Sequence, residues 1–210
     1  MHGLYQDTRC SRKLGSQGGI NLKLCVTILA AGKSERFGSQ KLVADYKGKP
    51  MLQWVIDRVA FLKAHRKALI VNPTWKEIRE NFQLRDVEVL YNLNYEEGIA
   101  SSVRTAISAG AAEHCDTVMI LLGDMPEVRP EVMEKVLEEA RTSDKPIVAA
   151  YFGDTKGFPT LVKSPVFPDV LSLRGDEGIR QIIEEKPELL HRVLIDDPRI
   201  VKDVDHDGRV

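Results

Sequence analysis

Leu22-Lys23-Leu24-Cys25-Val26-Thr27-Ile28-Leu29-Ala30-Ala31-Gly32-Lys33-Ser34-Glu35-Arg36-Phe37-Gly38-Ser39-Gln40-Lys41-Leu42 changes character halfway along. Leu24 to Leu29 is an apolar run rich in β-branched residues, short enough for a strand buried on both faces. It empties into the small residues Ala30-Ala31-Gly32, where the backbone can turn tightly and approach a ligand closely. Exposed N–H groups just beyond a strand make a cradle for phosphate oxygens. Lys33, Arg36 and Lys41 add three cations within nine residues, the charge that a triphosphate needs. The stretch reads as a buried strand feeding a polyphosphate loop.

Gly32-Lys33-Ser34 imitates the end of a P-loop, but that motif requires another glycine five positions before the second one. Thr27 stands there, inside the apolar run, and no helical pattern follows Ser34. Further along, Pro50 opens a helix with Leu52, Val55, Ile56 and Val59 on one face. Ala68 to Val71 and Val87 to Tyr91 read as strands, with a helix between them from Trp75 to Phe82. A helix from Ser101 to Ala112, a strand from Thr117 to Leu122, a helix from Pro130 to Arg141 and a strand from Ile147 to Tyr151 follow. This alternation predicts an α/β fold with a doubly wound, mostly parallel sheet, whose ligands sit beyond the carboxyl ends of the strands. The remainder reads as a brief strand at Thr160–Val162, helices at Pro165–Leu171 and Glu177–Glu185, and short strands at Val193–Asp196 and Ile200–Val204.

With 210 residues, 43% of them hydrophobic, the chain can bury one good core, and residues 22–210 are expected to form one domain. Residues 1–21 carry four glycines and no period, and are expected to be a flexible extension without a secretory h-region. A net charge of −1 argues against a nucleic-acid binder, and no apolar run is long enough for a membrane span. Cys10, Cys25 and Cys115 are odd in number and far apart, which argues against a disulfide framework or a zinc site. A reduced, cytoplasmic enzyme is the expectation.

Three further segments carry chemistry. Asp124, in Gly123-Asp124-Met125-Pro126, follows the strand ending at Leu122 and is a hard oxygen ligand suited to Mg²⁺ shared with nucleotide phosphates; its structural alternative is a turn before Pro126. Asp203 and Asp205 lie two apart and share a face if extended, and Asp205 is chosen as the second ligand over a merely solvated tail. Gly98-Ile99-Ala100-Ser101-Ser102 offers hydroxyls for a base edge, with Ser101 expected as a helix N-cap.

The spacing Leu-Ala-Ala-Gly-x-Ser-x-Arg-Phe-Gly-x-x-Lys-Leu, from Leu29 to Leu42, resembles the signature loop of nucleotidyltransferases with a glycosyltransferase-A-like Rossmann fold, and most of all the MobA-like family. The resemblance implies that Leu29, Ala30, Ala31, Gly32 and Lys33 cradle an NTP, that Arg36 and Lys41 hold its phosphates, and that Asp124 binds Mg²⁺. Arg36, Lys41 and Asp124 become the catalytic set. Gly98, Ser101 and Ser102, with Ala31 where guanylyl-transferring members usually have Gly, point to CTP. The implied reaction moves CMP to the terminal phosphate of a molybdopterin acceptor and releases pyrophosphate. A molybdoenzyme becomes a further partner, and the protein a monomer or weak dimer. The chain departs from the family pattern at Phe37 for Met, at Phe158 for His in Gly157-Phe158-Pro159, and at His206 for Thr near its end. Phe158 leaves the acceptor open to another phosphorylated molecule such as a sugar phosphate, and a reading of another class is a nucleotide-binding or cofactor-delivery protein without turnover.

Overall fold

In the computed structural model of the protein, residues 22–32 and 40–203 are described. The apolar run forms β1 (Leu24–Ala30), buried at every position. A single helical turn, α1 (Gln40–Val43), precedes a small hairpin of β2 (Asp45–Tyr46) and β3 (Lys49–Pro50). Helix α2 (Met51–Ala60) leads to β4 (Arg66–Val71), the short α3 (Trp75–Ile78), β5 (Glu88–Tyr91), α4 (Ile99–Ala112) and β6 (Thr117–Leu122). Then come α5 (Pro130–Thr142), β7 (Ile147–Phe152), β8 (Thr155–Lys163), α6 (Phe167–Ser172), α7 (Ile179–Glu185) and β9 (Leu190–Leu194).

Seven strands make one sheet in the order β5-β4-β1-β6-β8-β7-β9. All neighbouring pairs are parallel except those of β8, which runs antiparallel to both β6 and β7. Strand alternation splits β1 between two cores. Val26, Ile28 and Ala30 join residues of α2 and α5, such as Leu52 and Met133, on one face. Cys25 and Leu29 join Val103, Ile107, Ile179 and Ile183 of α4 and α7 on the other. Each fully buried Ile or Leu of this kind contributes about 1.5–3 kcal/mol. The doubly wound, mostly parallel expectation therefore holds, with helices covering both faces.

The differences lie where local signals are weak. The expected helix Trp75–Phe82 is one α turn followed by a 3₁₀ turn at Arg79–Asn81. The brief strand at Thr160–Val162 is the middle of a longer β8, because β7 supplies pairing out to Thr155. The register shifts between Ala149 and Tyr151, so residues 157–159, including Pro159 with no N–H to give, need not all join the ladder. Ile200–Val204 is not a strand over its described part. Pro198–Val201 forms a 3₁₀ turn, whose start is capped by the Asp197 carboxylate accepting from the Arg199 N–H. The expected extension, residues 1–21, lies outside the described residues.

Candidate active site

The parallel strands β1, β4, β5 and β6 bring their carboxyl ends to one edge of the sheet, where doubly wound folds bind ligands. The Gly123 N–H donates to the Leu29 carbonyl at 2.9 Å, prolonging the β1–β6 ladder by one step. A Cβ at Gly123 would stand 3.2 Å from Ala30 Cβ and 3.1 Å from Leu52 Cδ1, so glycine is what lets the Asp124 turn close this tightly. Asp124 thus leaves the sheet beside Ala31 and Gly32.

Lys41 gathers the acids. Its Nζ lies 3.0 Å from Asp124 Oδ2 and 3.3 Å from Asp203 Oδ2. Burial would pull the Lys41 ammonium down, but the Asp124 and Asp203 carboxylates outweigh it and leave its pKa raised. Among the described residues, two carboxylates stand against one ammonium at this point. Among the described residues no three His, Cys, Asp or Glu side chains come together as a complete metal cage. A pair of hard oxygen donors fits an ion that keeps its waters and shares phosphate oxygens, which is the habit of Mg²⁺.

An ion cluster built on the buried Glu127, Tyr46 and Asp197 lies behind these three residues. The Glu127 carboxylate accepts from the Tyr46 hydroxyl and, at 2.5 Å, from Lys47 Nζ, and lies 3.6 Å from Arg199 Nη1. Arg199 in turn pairs with the buried Asp197 at 2.7 Å, and Asp197 also takes Arg129 Nη2 at 3.1 Å. Glu127 follows Asp124 by three residues, Tyr46 follows Lys41 by five, and Arg199 precedes Asp203 by four. The cluster therefore ties together the three chain segments that carry the Lys41 pair. Burial pushes the Glu127 carboxyl up, yet Lys47 and Tyr46 overcome it and hold it below its ordinary value.

Beside Asp124 opens a cleft of about 540 Å³, whose walls include Leu29, Ala31, Gly32, Gly98, Ser102 and Asp124. Ala30 does not share it through its side chain, which alternation sends to the α2 face. Ser101 is not the N-cap of α4. Gly98 takes that place at φ +95, where a Cβ would collide with Gly175 O and Asp176 Oδ1 at 2.4 Å. Ser101 is turned inward instead: its hydroxyl donates to the Gly98 carbonyl at 2.8 Å and accepts from Asn92 Nδ2 at 2.8 Å. Ser102 accepts from the same Asn92 nitrogen at 3.0 Å and keeps its proton for a ligand. Of the two hydroxyls, only that of Ser102 lines the cleft.

A larger cavity, about 840 Å³, adjoins this cleft through the shared residues Leu29, Ile99, Leu122 and Asp176. It runs over β6, β7, β8 and α7. Sequence reading singles out Gly157-Phe158-Pro159 and Gly175–Arg180, which resemble family segments, and so reaches Phe158, Asp176 and Arg180 in this wall. It misses Asn92 and Tyr95, which lie just past the carboxyl end of β5, where the strand-end rule reaches. Lys33, Arg36 and Asp205 lie outside the described residues, so among the sequence candidates the structure brings together Leu29, Ala31, Gly32, Lys41, Gly98, Ser102, Asp124 and the alternative acid, Asp203.

The carboxyl edge of this mostly parallel, doubly wound sheet thus gathers the small residues Ala31 and Gly32, Lys41 and an acid pair. Residues 26–192 match the MobA-like NTP transferase domain, and the chain belongs to that family. It is 32% identical over 125 residues to a probable molybdenum cofactor guanylyltransferase of Pyrococcus horikoshii, covering 59% of this chain and 60% of that protein. It is 26% identical over 168 residues to the bifunctional protein GlmU of Wigglesworthia glossinidia brevipalpis, covering 76% of this chain but 36% of the relative. The chain thus spans about a third to three fifths of the curated relatives it matches. Among solved structures, Rv0371c of Mycobacterium tuberculosis superposes with a TM-score of 0.74 at 23% identity, over 89% of this chain and 93% of that one. Rv0371c in complex with manganese gives 0.70 at 20% identity, over 82% and 88%. Among the described residues, no helix is long and apolar enough to cross a membrane.

Proposed function

We propose that the protein transfers CMP from CTP to the terminal phosphate of a molybdopterin acceptor, with Mg²⁺, and releases pyrophosphate. The observation that carries this reading is Lys41 lying between Asp124 and Asp203, with Asp124 itself in the wall of a cleft also lined by Ala31 and Gly32. An oxygen of the acceptor phosphate forms a bond to the α-phosphorus, and the bond to the departing pyrophosphate breaks. The attacking oxygen is already anionic, so no strong base is required, and the enzyme contributes positioning and charge neutralisation. Mg²⁺, held by Asp124 together with Asp203 or Asp205, would supply the charge that draws the phosphate oxygens together. Lys41 and Arg36 neutralise the leaving pyrophosphate. Gly98 and Ser102 face the base, and the buried Ala31 adds a methyl that Gly would lack, which favours the smaller pyrimidine.

The test is a screen of the four NTPs for Mg²⁺-dependent binding, followed by pyrophosphate release on adding molybdopterin or a sugar phosphate. CTP binding with molybdopterin-dependent release is expected. Binding without release from any phosphorylated acceptor would overturn the enzymatic reading in favour of delivery.

A further inference from the structure

The larger cavity holds polar groups that the mechanism above leaves unused. Lys156, Phe158 and Thr160 alternate along β8 and line the cavity together. Lys156 is partly buried; its Nζ lies 4.5 Å from the centre of the Phe158 ring and donates to the Gly157 carbonyl at 3.3 Å. Among the described residues no carboxylate comes within ion-pair distance of it. The Thr160 hydroxyl is fully buried in the same wall and has no hydrogen-bond partner among the described residues. A half-buried ammonium with no carboxylate to neutralise it, and a buried hydroxyl without a partner, are costly unless a ligand completes them.

Their position decides what that ligand presents. Thr160 is paired with Ile120 of β6, and the two strands are antiparallel, so stepping back from Thr160 to Lys156 follows β6 forward towards Asp124. Lys156 therefore stands towards the same edge of the sheet as Asp124. Leu122, which borders both the cleft and the cavity, lies on β6 between Ile120 and Asp124. An anion at Lys156 would thus sit next door to the nucleotide.

We infer that Lys156 receives the attacking phosphate of the acceptor, with the Thr160 hydroxyl and the Phe158 ring seating the part of the molecule behind it. The inference rests on the nucleotidyl-transfer reading and narrows it: the acceptor is a phosphomonoester whose body is flat or apolar next to the phosphate. Lys156 is a positioning residue for the attacking group, distinct from the cations that serve the leaving group. Burial, and then repulsion from Arg180, bring its pKa down to about 8. The other charged or titratable groups around the cavity are Asp154, Asp176, Glu184, Arg192 and Tyr151. Arg180 is engaged by Glu184 at 2.8 Å, and Arg192 by Asp154 at 3.5 Å, which leaves Lys156 to meet a phosphate dianion. The sign follows: the ammonium is present below about pH 8 and is lost above it, so phosphate binding weakens as pH rises through that value.

The experiment uses the full chain and phenyl phosphate, an aromatic phosphomonoester. It is titrated by calorimetry after the cleft has been filled with Mg²⁺ and the α,β-methylene analogue of whichever NTP binds. Lys156→Met should raise its dissociation constant at least about tenfold, the scale of one lost charge-assisted hydrogen bond, and leave NTP affinity unchanged. Lys156→Arg should restore binding to within roughly threefold and abolish the loss above about pH 8, because its guanidinium stays charged. Intact NTP binding with phenyl phosphate indifferent to Lys156, or an Arg variant that keeps the wild-type pH dependence, overturns this inference alone. Failure of every NTP to bind overturns the nucleotidyl-transfer reading, and this inference with it.

Discussion

The two halves of the carboxyl edge are built differently. The half proposed for the nucleotide, around β1, β5 and β6, draws its walls from segments that leave parallel strands: Ala31 and Gly32 after β1, Tyr95 and Gly98 after β5, and Asp124 after β6. The other half, around β7, β8 and β9, takes single side chains from several elements: Lys156 from β8, Arg180 from α7, Arg192 from β9. A triphosphate is the same ligand in every such enzyme, and a contiguous loop can be shaped to it. An acceptor differs from one enzyme to the next, and side chains spaced along separate strands can be exchanged without rebuilding a loop. The first half should therefore fail all at once when a charge is removed, and the second should fail by degrees.

Asp124→Asn is the severest test of that contrast. It should lower Mg²⁺-dependent transfer by at least about 10³-fold, since it removes the charge that holds the metal. The melting temperature without nucleotide should stay nearly unchanged, because Asp124 is about 30% exposed and its pair with Lys41 is of the weak, solvent-screened kind. Collapse of the apo protein would make Asp124 a turn residue and move the metal elsewhere.

Lys41→Ala and Arg36→Ala should each cost roughly 10²–10³-fold in turnover, the usual effect of removing one charge-stabilising donor. Steady-state kinetics with the acceptor varied up to saturation measures it. Loss confined to acceptor KM would break the comparison, for it would place these cations in the wrong half.

Glu127→Gln probes the scaffold behind the Lys41 pair, and should destabilise by about 1–3 kcal/mol, as taking the charged acceptor from the buried Tyr46 hydroxyl does. The folded Glu127 carboxyl is held below its ordinary value of 4.5, so its stabilisation is present above that value and is lost as pH falls through the lower folded one. Thermal melts should show wild type and variant converging in acid. A gap that persists well below pH 4 would mean that the carboxylate's charge is not what holds Tyr46, Lys47 and Arg199 together.

How much of this was legible in the chain follows the same division. Leu24–Leu29 announced a buried strand because five of its six residues are apolar, and the exception, Thr27, gives its hydroxyl proton to the Met119 carbonyl at 3.0 Å. Ala31, Gly32, Lys41 and Asp124 were legible because phosphate chemistry is concentrated in short segments at strand ends. Ser101 misled: a serine ahead of a helical run is a good cap by composition, but a glycine at positive φ three residues earlier took the place. The Glu127 cluster was invisible, since its members come from residues 46, 47, 127 and 199 and meet only in three dimensions. Lys156 was invisible for a related reason. One lysine among thirty Lys and Arg carries no mark until its missing carboxylate can be seen.

Base choice is the smallest effect and the finest division within the nucleotide half. Ala31 is 2% exposed and lines the cleft opposite Ser102, whose hydroxyl is held by Asn92 with its proton still to give. A donor fixed in this way suits an acceptor on the base, such as the cytosine carbonyl, and a site with a committed donor rejects a base that leaves it unpaired. Ser101 adds nothing directly, because it stands outside the cleft wall and its proton is spent on the Gly98 carbonyl. One methyl and one hydroxyl together justify only a modest gap, so CTP is expected to bind at least roughly tenfold more tightly than GTP, about 1.4 kcal/mol. Ala31→Gly should shrink that gap by relieving the purine, and Ser102→Ala should shrink it by weakening CTP, so the two variants reach the same ratio from opposite sides. Calorimetry with Mg²⁺ separates them, because the first changes the GTP constant and the second the CTP constant. Equal binding in the wild type, or a preference for GTP, would remove the cytidylyl reading and leave nucleotidyl transfer as it stands.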